Sequence, residues 1–168
     1  MTNQGTKQWR RVCARSKKWR ENNDCTVKAL AIATNSTYEK AHGALALRGR
    51  SFRKGISMHE VWKALGDLGF KAETVFKRSE IELSDKGFLF DGMFNHDDRI
   101  EKVKKYRRSR WAKGKTIKSV AGYLPQRGVF LIETRAHVLC VRAGQVHDWT
   151  DGRRHRITQV HRIIRGDK

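Results

Sequence analysis

The chain has 168 residues, with 37 Lys/Arg against 17 Asp/Glu, a formal charge of +20, one proline and three cysteines. That length suits one compact domain, and apolar segments spread from Val27 to Ile164 exclude an extended disordered chain. The polar, basic stretch from Met1 to Arg20 excludes a signal peptide there, no apolar run is long enough to span a bilayer, and the odd, widely spaced Cys13, Cys25 and Cys140 exclude a disulfide framework or zinc knot.

The expectation is a soluble protein of a reducing cytoplasm, with no membrane partner. So large a cationic excess points to a nucleic acid or another polyanion as a partner, bound more weakly as salt rises.

Residues 1 to 20 read as a basic arm or irregular lead-in, with Arg10, Arg11, Lys17 and Lys18 set around Trp9 and Trp19. A single domain over 21 to 168 follows. Asn22-Asn23-Asp24 supplies capping side chains, Asp24 as the cap, directly ahead of Cys25-Thr-Val-Lys-Ala-Leu-Ala-Ile-Ala. That stretch is apolar on most sides and predicts a buried helix starting near Cys25. Ser36-Thr-Tyr-Glu39 has the spacing of a capping box and predicts a helix to about Leu47; Ser57-Met-His-Glu60 predicts another to about Leu68.

Lys71 to Phe76 alternates as a strand does, Ser79 to Asp98 gives mixed signals, and Arg99 to Lys118 is dominated by cations. A helix over Thr116 to Leu124 ends before Pro125, and Val129 to Thr134 is β-rich. His137 to Arg142 and Gln145 to Trp149 form a hairpin around Ala143-Gly144. Helices first and an antiparallel sheet later make an α+β protein.

A cysteine in the first turn of a helix sits where backbone N–H groups favour a thiolate, the better nucleophile. Cys25 has that place, although a lone helical cysteine is by itself often a small buried hydrophobe. A two-residue turn at Ala143-Gly144 pairs Arg142 with Gln145. His137 and Asp148 then become diagonal neighbours on one face, so the carboxylate can hold one imidazole nitrogen and leave the other for a thiol.

The same register sets Cys140 opposite His147 on the other face. This rival pair is disfavoured because Cys140 lies mid-strand between apolar neighbours, with no helix terminus to stabilise a thiolate. The Cys25 backbone N–H is one candidate oxyanion donor, and the side-chain amide of Asn22 or Asn23 is a second. The remaining histidines, His42, His59, His96, His155 and His161, lack metal-ligand spacing, so no metal or cofactor is expected.

Asn23-Asp24-Cys25-Thr-Val-Lys-Ala-Leu-Ala-Ile-Ala-Thr with Tyr38, Ala41 and His42, and later Thr116-Ile-Lys-Ser-Val-Ala, Gly128-Val-Phe-Leu-Ile, His137-Val-Leu-Cys-Val, Gly144 and Asp148, resemble small papain-like cysteine proteins of phages and bacteria. The two blocks cover about half the chain. The resemblance implies a papain-like fold, with the nucleophile heading a central helix that packs on the sheet. Cys25, His137 and Asp148 take the triad roles by position. A phage origin would set the protein in a host cytoplasm. Papain-like proteases resemble one another in a glutamine several residues ahead of the cysteine; this chain has Trp19 and Arg20 in that neighbourhood.

Two functions follow as expectations. The first is a cysteine hydrolase, a peptidase or a deamidase, acting on an intracellular protein; transfer to an amine uses the same triad. The second is a nucleic-acid- or host-protein-binding module on the same scaffold with little or no catalysis. It would use Arg10, Arg11, Lys17 and Lys18 together with Lys104, Lys105, Arg107, Arg108, Arg110, Trp111 and Lys113.

Overall fold

A computed structural model describes residues 6–79, 96–108, 116–120 and 127–166. Helix α1 (Lys7–Lys18) begins where the Thr6 hydroxyl accepts from the Trp9 N–H. Val12 and Ser16, one turn apart, are buried, while Arg10, Arg11, Arg15, Lys17 and Lys18 face outward. The stretch expected as an irregular lead-in is therefore mostly helix. Arg and Lys are good helix formers, and Trp9, Val12, Cys13 and Ser16 share one helix face, a stripe that the surrounding cations obscure. Arg15, Lys17 and Lys18 in its last turn suit the negative end of the helix dipole.

Helix α2 (Cys25–Thr34) starts at the predicted residue and ends on Asn35, which adopts φ 55°. Val27, Leu30, Ala31 and Ile32 are wholly buried. A helix apolar all round must lie inside, and each large aliphatic so buried contributes about 1.5–3 kcal/mol. Asp24 occupies the cap position, but its side chain does not cap. It accepts from Lys28 Nζ at 2.7 Å and from the Tyr38 hydroxyl at 2.8 Å, tying the helix start to the next helix.

That next helix, α3 (Tyr38–Leu47), is capped by Thr37 rather than Ser36: the Thr37 hydroxyl accepts from the Lys40 N–H. In α4 (Met58–Asp67) the Ser57 hydroxyl accepts from the Glu60 N–H, as the capping-box spacing predicts. The sheet follows as β1 (Phe70–Lys77), β2 (Val129–Thr134), β3 (Val138–Arg142), β4 (Gln145–His147) and β5 (Ile157–Arg165), with α5 (His96–Arg108) and the short α6 (Ile117–Val120) between β1 and β2. Of the helix expected over Thr116 to Leu124, residues 121–126 lie outside the described residues.

The strand order is β1-β5-β2-β3-β4, every neighbouring pair antiparallel. The longest strand, β5, has no counterpart in the sequence expectations. Arg and His interrupt its apolar positions, and it is held between β1 and β2 by both edges. Thr74 and Glu133 satisfy its buried His161, at 3.0 and 2.7 Å.

Side chains alternate across the sheet into two cores. Val138, Cys140, Leu131 and Ile163 pack with α1 to α4 on one face; Phe130, Ile132, Leu139 and Val141 pack with Tyr106, Ile117 and Val120 of α5 and α6 on the other. Burial on both faces explains why β2 and β3 read as continuous apolar runs instead of alternating. The molecule is α+β, with its N-terminal helices packed on a five-stranded antiparallel sheet. No helix among the described residues is long and apolar enough to cross a membrane.

Candidate active site

The segment that leads into Cys25 is tightly bent, with Arg20 at φ 51° and Asn23 at φ 50°. Glu21 holds it in place. Its buried carboxylate accepts from Arg50 Nη1 at 2.8 Å and from the Arg53 N–H at 2.6 Å, and bonds His42 Nε2 at 2.8 Å. Two further bonds close the same seam, Arg53 Nε to the Arg20 carbonyl at 2.9 Å and the Asn23 amide to the Arg53 carbonyl at 3.2 Å. The Arg50 and Glu21 side chains are both fully buried, and Arg50 Nε and Nη2 find no hydrogen-bond partner among the described residues.

His137 stands just ahead of β3, where its carbonyl accepts from the Thr134 N–H at 2.8 Å. Ala143 at φ 51° and Gly144 at φ 72° make the tight turn that joins β3 to β4. The ladder pairs Arg142 with Gln145 and Cys140 with His147, the register expected from a two-residue connection. Beyond the ladder, His137 Nε2 meets Asp148 Oδ2 at 2.8 Å. Asp148 is buried, and both the backbone N–H (3.0 Å) and the hydroxyl of Thr150 donate to the same oxygen. With Nε2 engaged, Nδ1 is the nitrogen left for a thiol.

Cys25 supplies that thiol. Burial alone would push it up; the hydrogen bond with His137, the Val138 N–H, the His137 charge and the Thr26 N–H outweigh burial and hold it below its ordinary value. Burial would likewise lower His137, but Asp148 and Cys25 outweigh it and raise the imidazole to about 9. Opposite shifts in two facing groups favour a thiolate–imidazolium pair. Burial pushes up both other thiols, Cys13 and the wholly buried Cys140. His147 turns instead to the Thr6 hydroxyl at 2.5 Å and the Arg142 carbonyl at 3.3 Å, and burial lowers it.

Two cavities meet at Cys25, Ala136 and His137. One, of about 280 Å³, is lined by Ile56, Met58, Val138, Thr134 and Arg135; the other, of about 410 Å³, by Trp9, Asn22, Asn23, Lys28 and Trp149. The exposed Trp149 ring lies 5.5 Å from that of His137, with the Arg153 guanidinium 5.0 Å from its centroid. No family model, curated protein or solved structure matches the chain.

Of the two candidate amides, Asn23 is engaged with Arg53, whereas Asn22 is exposed, lines the second cavity and has no hydrogen-bond partner among the described residues. The cations do not gather into one patch. Arg10, Arg11, Lys17 and Lys18 are exposed on α1, on the sheet face that carries the N-terminal helices. Lys104, Lys105, Arg107 and Arg108 are exposed on α5, across the sheet. Arg110, Trp111 and Lys113 lie outside the described residues. Among the described residues no group of three His, Cys, Asp or Glu is placed to hold a metal ion.

Glu21, Arg50, Thr150 and Trp149 escape the sequence reading. For Glu21 there is a signal: it is the first carboxylate of the chain and stands four residues before Cys25. For Arg50 there is none, because its partner is remote in sequence.

Proposed function

We propose that this is a papain-like cysteine hydrolase acting on a peptide or amide bond. One observation carries the reading: a cysteine at a helix start faces an imidazole whose far nitrogen is held by a buried carboxylate. The Cys25 thiolate attacks the carbonyl carbon, forming the C–S bond as the C=O π electrons move to oxygen. The Cys25 backbone N–H and the Asn22 amide receive that oxyanion. Collapse breaks the C–N bond, and the His137 imidazolium gives its proton to the leaving amine. Water, deprotonated by His137, then attacks the thioester, releasing the acid and restoring the thiol.

p-Nitrophenyl acetate tests this. The expected result is a burst of p-nitrophenolate equal to the enzyme, an acetyl group located on Cys25 by mass spectrometry, and loss of both in a folded Cys25→Ala variant. A burst that survives Cys25→Ala, or acetylation elsewhere in the wild type, overturns the reading.

A second reading, compatible with the first, is polyanion binding by the solvent face of α5. Its Lys102, Lys104, Lys105, Arg107 and Arg108 are exposed while Val103 and Tyr106 are buried. Lys102→Glu with Arg108→Glu is expected to weaken duplex DNA binding and to flatten its log–log salt slope by about 0.9 for each phosphate no longer neutralised. An unchanged slope in a filter-binding titration removes α5 from that role.

A further inference from the structure

The carboxylates around the cleft are all engaged from within the protein. Glu21 is held by Arg50 and His42, Asp24 by Lys28 and Tyr38, Glu133 by His161, and Asp148 by His137 and Thr150. Two arginines at or beside it have no carboxylate partner among the described residues. Arg135 is exposed, lines the first cavity, and has no ion pair among the described residues. Arg153 is exposed against Trp149, which lines the second cavity, and also has none.

Stacking on an aromatic ring holds a guanidinium in a defined plane while its donors stay open to a carboxylate. A cleft lined by one sign of charge focuses its field and draws in the opposite sign.

We infer, resting on the reading of Cys25 and His137 as an acyl-transfer pair, that the cleft takes an acidic polypeptide, with one substrate carboxylate at Arg135 and another at Arg153, on opposite sides of the scissile bond. Because the two cavities meet at the thiol, a chain crossing Cys25 passes one arginine before the reacting carbonyl and the other after it. A basic segment would meet like charge at both places. A nucleic acid would satisfy the arginines but brings no acyl carbon to the thiol, so the polypeptide is the polyanion that fits both features.

The test compares alkylation of Cys25 by iodoacetate and iodoacetamide, probes of similar size that differ in charge. Their rate ratio cancels changes in the thiolate itself. In Arg135→Gln and Arg153→Gln the iodoacetate-to-iodoacetamide ratio is expected to fall about two- to fivefold per arginine, the effect of one exposed charge pair. Arg→Lys at either position should retain most of the ratio, and raised sodium chloride should erase the difference. Polyglutamate should protect wild-type Cys25 from iodoacetamide and should protect the double Gln variant less; polylysine should protect neither.

An unchanged ratio in the double variant, or no protection by polyglutamate, overturns the inference even when Cys25 is reactive near neutrality. Slow wild-type reaction with iodoacetamide that rises only in alkali instead overturns the acyl-transfer reading on which it rests.

Discussion

In His137→Ala, the pH midpoint for alkylation of Cys25 by iodoacetamide is expected to rise above that of the wild type. In the wild type His137 and the N–H groups of Val138 and Thr26 outweigh burial and hold the thiol below its ordinary 9.0. The substitution removes the imidazole's hydrogen bond and charge but leaves burial, which raises a thiol. Each pH unit by which the midpoint rises costs about tenfold in thiolate at pH values below both midpoints, so the drop in rate near pH 6 reads the size of the rise.

The window has two edges. Thiolate is present above the lowered Cys25 value, and imidazolium persists until pH passes the His137 value of about 9. Asp148→Asn should pull the upper edge down from about 9 toward the ordinary 6.5, because the carboxylate does more than Cys25 to hold the proton on the ring. Site-resolved mass spectrometry across pH reads both edges. A His137→Ala profile that coincides with the wild type would remove His137 from the chemistry.

The second large effect concerns stability. Arg50→Met strands the Glu21 carboxylate in a fully buried site, and breaking a buried ion pair from one side typically destabilises by about 3–5 kcal/mol. Equilibrium denaturation should show that loss. Replacing both partners, as Glu21→Leu with Arg50→Met, should recover much of it, because no charge then remains to be desolvated. The pH dependence has a defined sign. Burial would raise Glu21, but Arg50, His42 and the Arg53 N–H hold it below its ordinary 4.5.

The stability that follows from that depressed value is complete above 4.5 and disappears as pH falls through the lower folded value. A loss under about 1 kcal/mol in Arg50→Met, well short of the usual cost of a broken buried pair, would show the pair to be dispensable. Since Glu21 and Arg53 pin the bend that precedes Cys25, the same variants should also slow Cys25 alkylation.

Much of the site is local and therefore legible in the chain. A capping run followed by an unbroken apolar stretch places a buried helix start at Cys25, and the structure begins α2 there. A two-residue turn at Ala143-Gly144 sets the pairing of β3 with β4, and that register brings His137 to Asp148. Local signals also mislead. The cation-rich α1 conceals a helix because only a narrow stripe of it is buried, and in Ser36-Thr37 two adjacent hydroxyls compete for one cap, which Thr37 takes.

What the chain by itself determined is thus the helix headed by Cys25, the His–Asp hairpin and the cationic excess, the first two written in residues a few positions apart, where an unbroken apolar run and turn geometry act without help from the rest of the fold. Only the tertiary structure decided that Cys25 meets His137 while His147, opposite Cys140, turns to Thr6, that β5 lies between β1 and β2 inside the sheet, that Glu21 and Arg50 clamp the bend before Cys25, and that the two basic helices stand on opposite faces. Those outcomes depend on which surfaces are buried against which. The desolvation that raises Cys140 and makes Glu21 and Arg50 depend on each other exists only once the layers have closed.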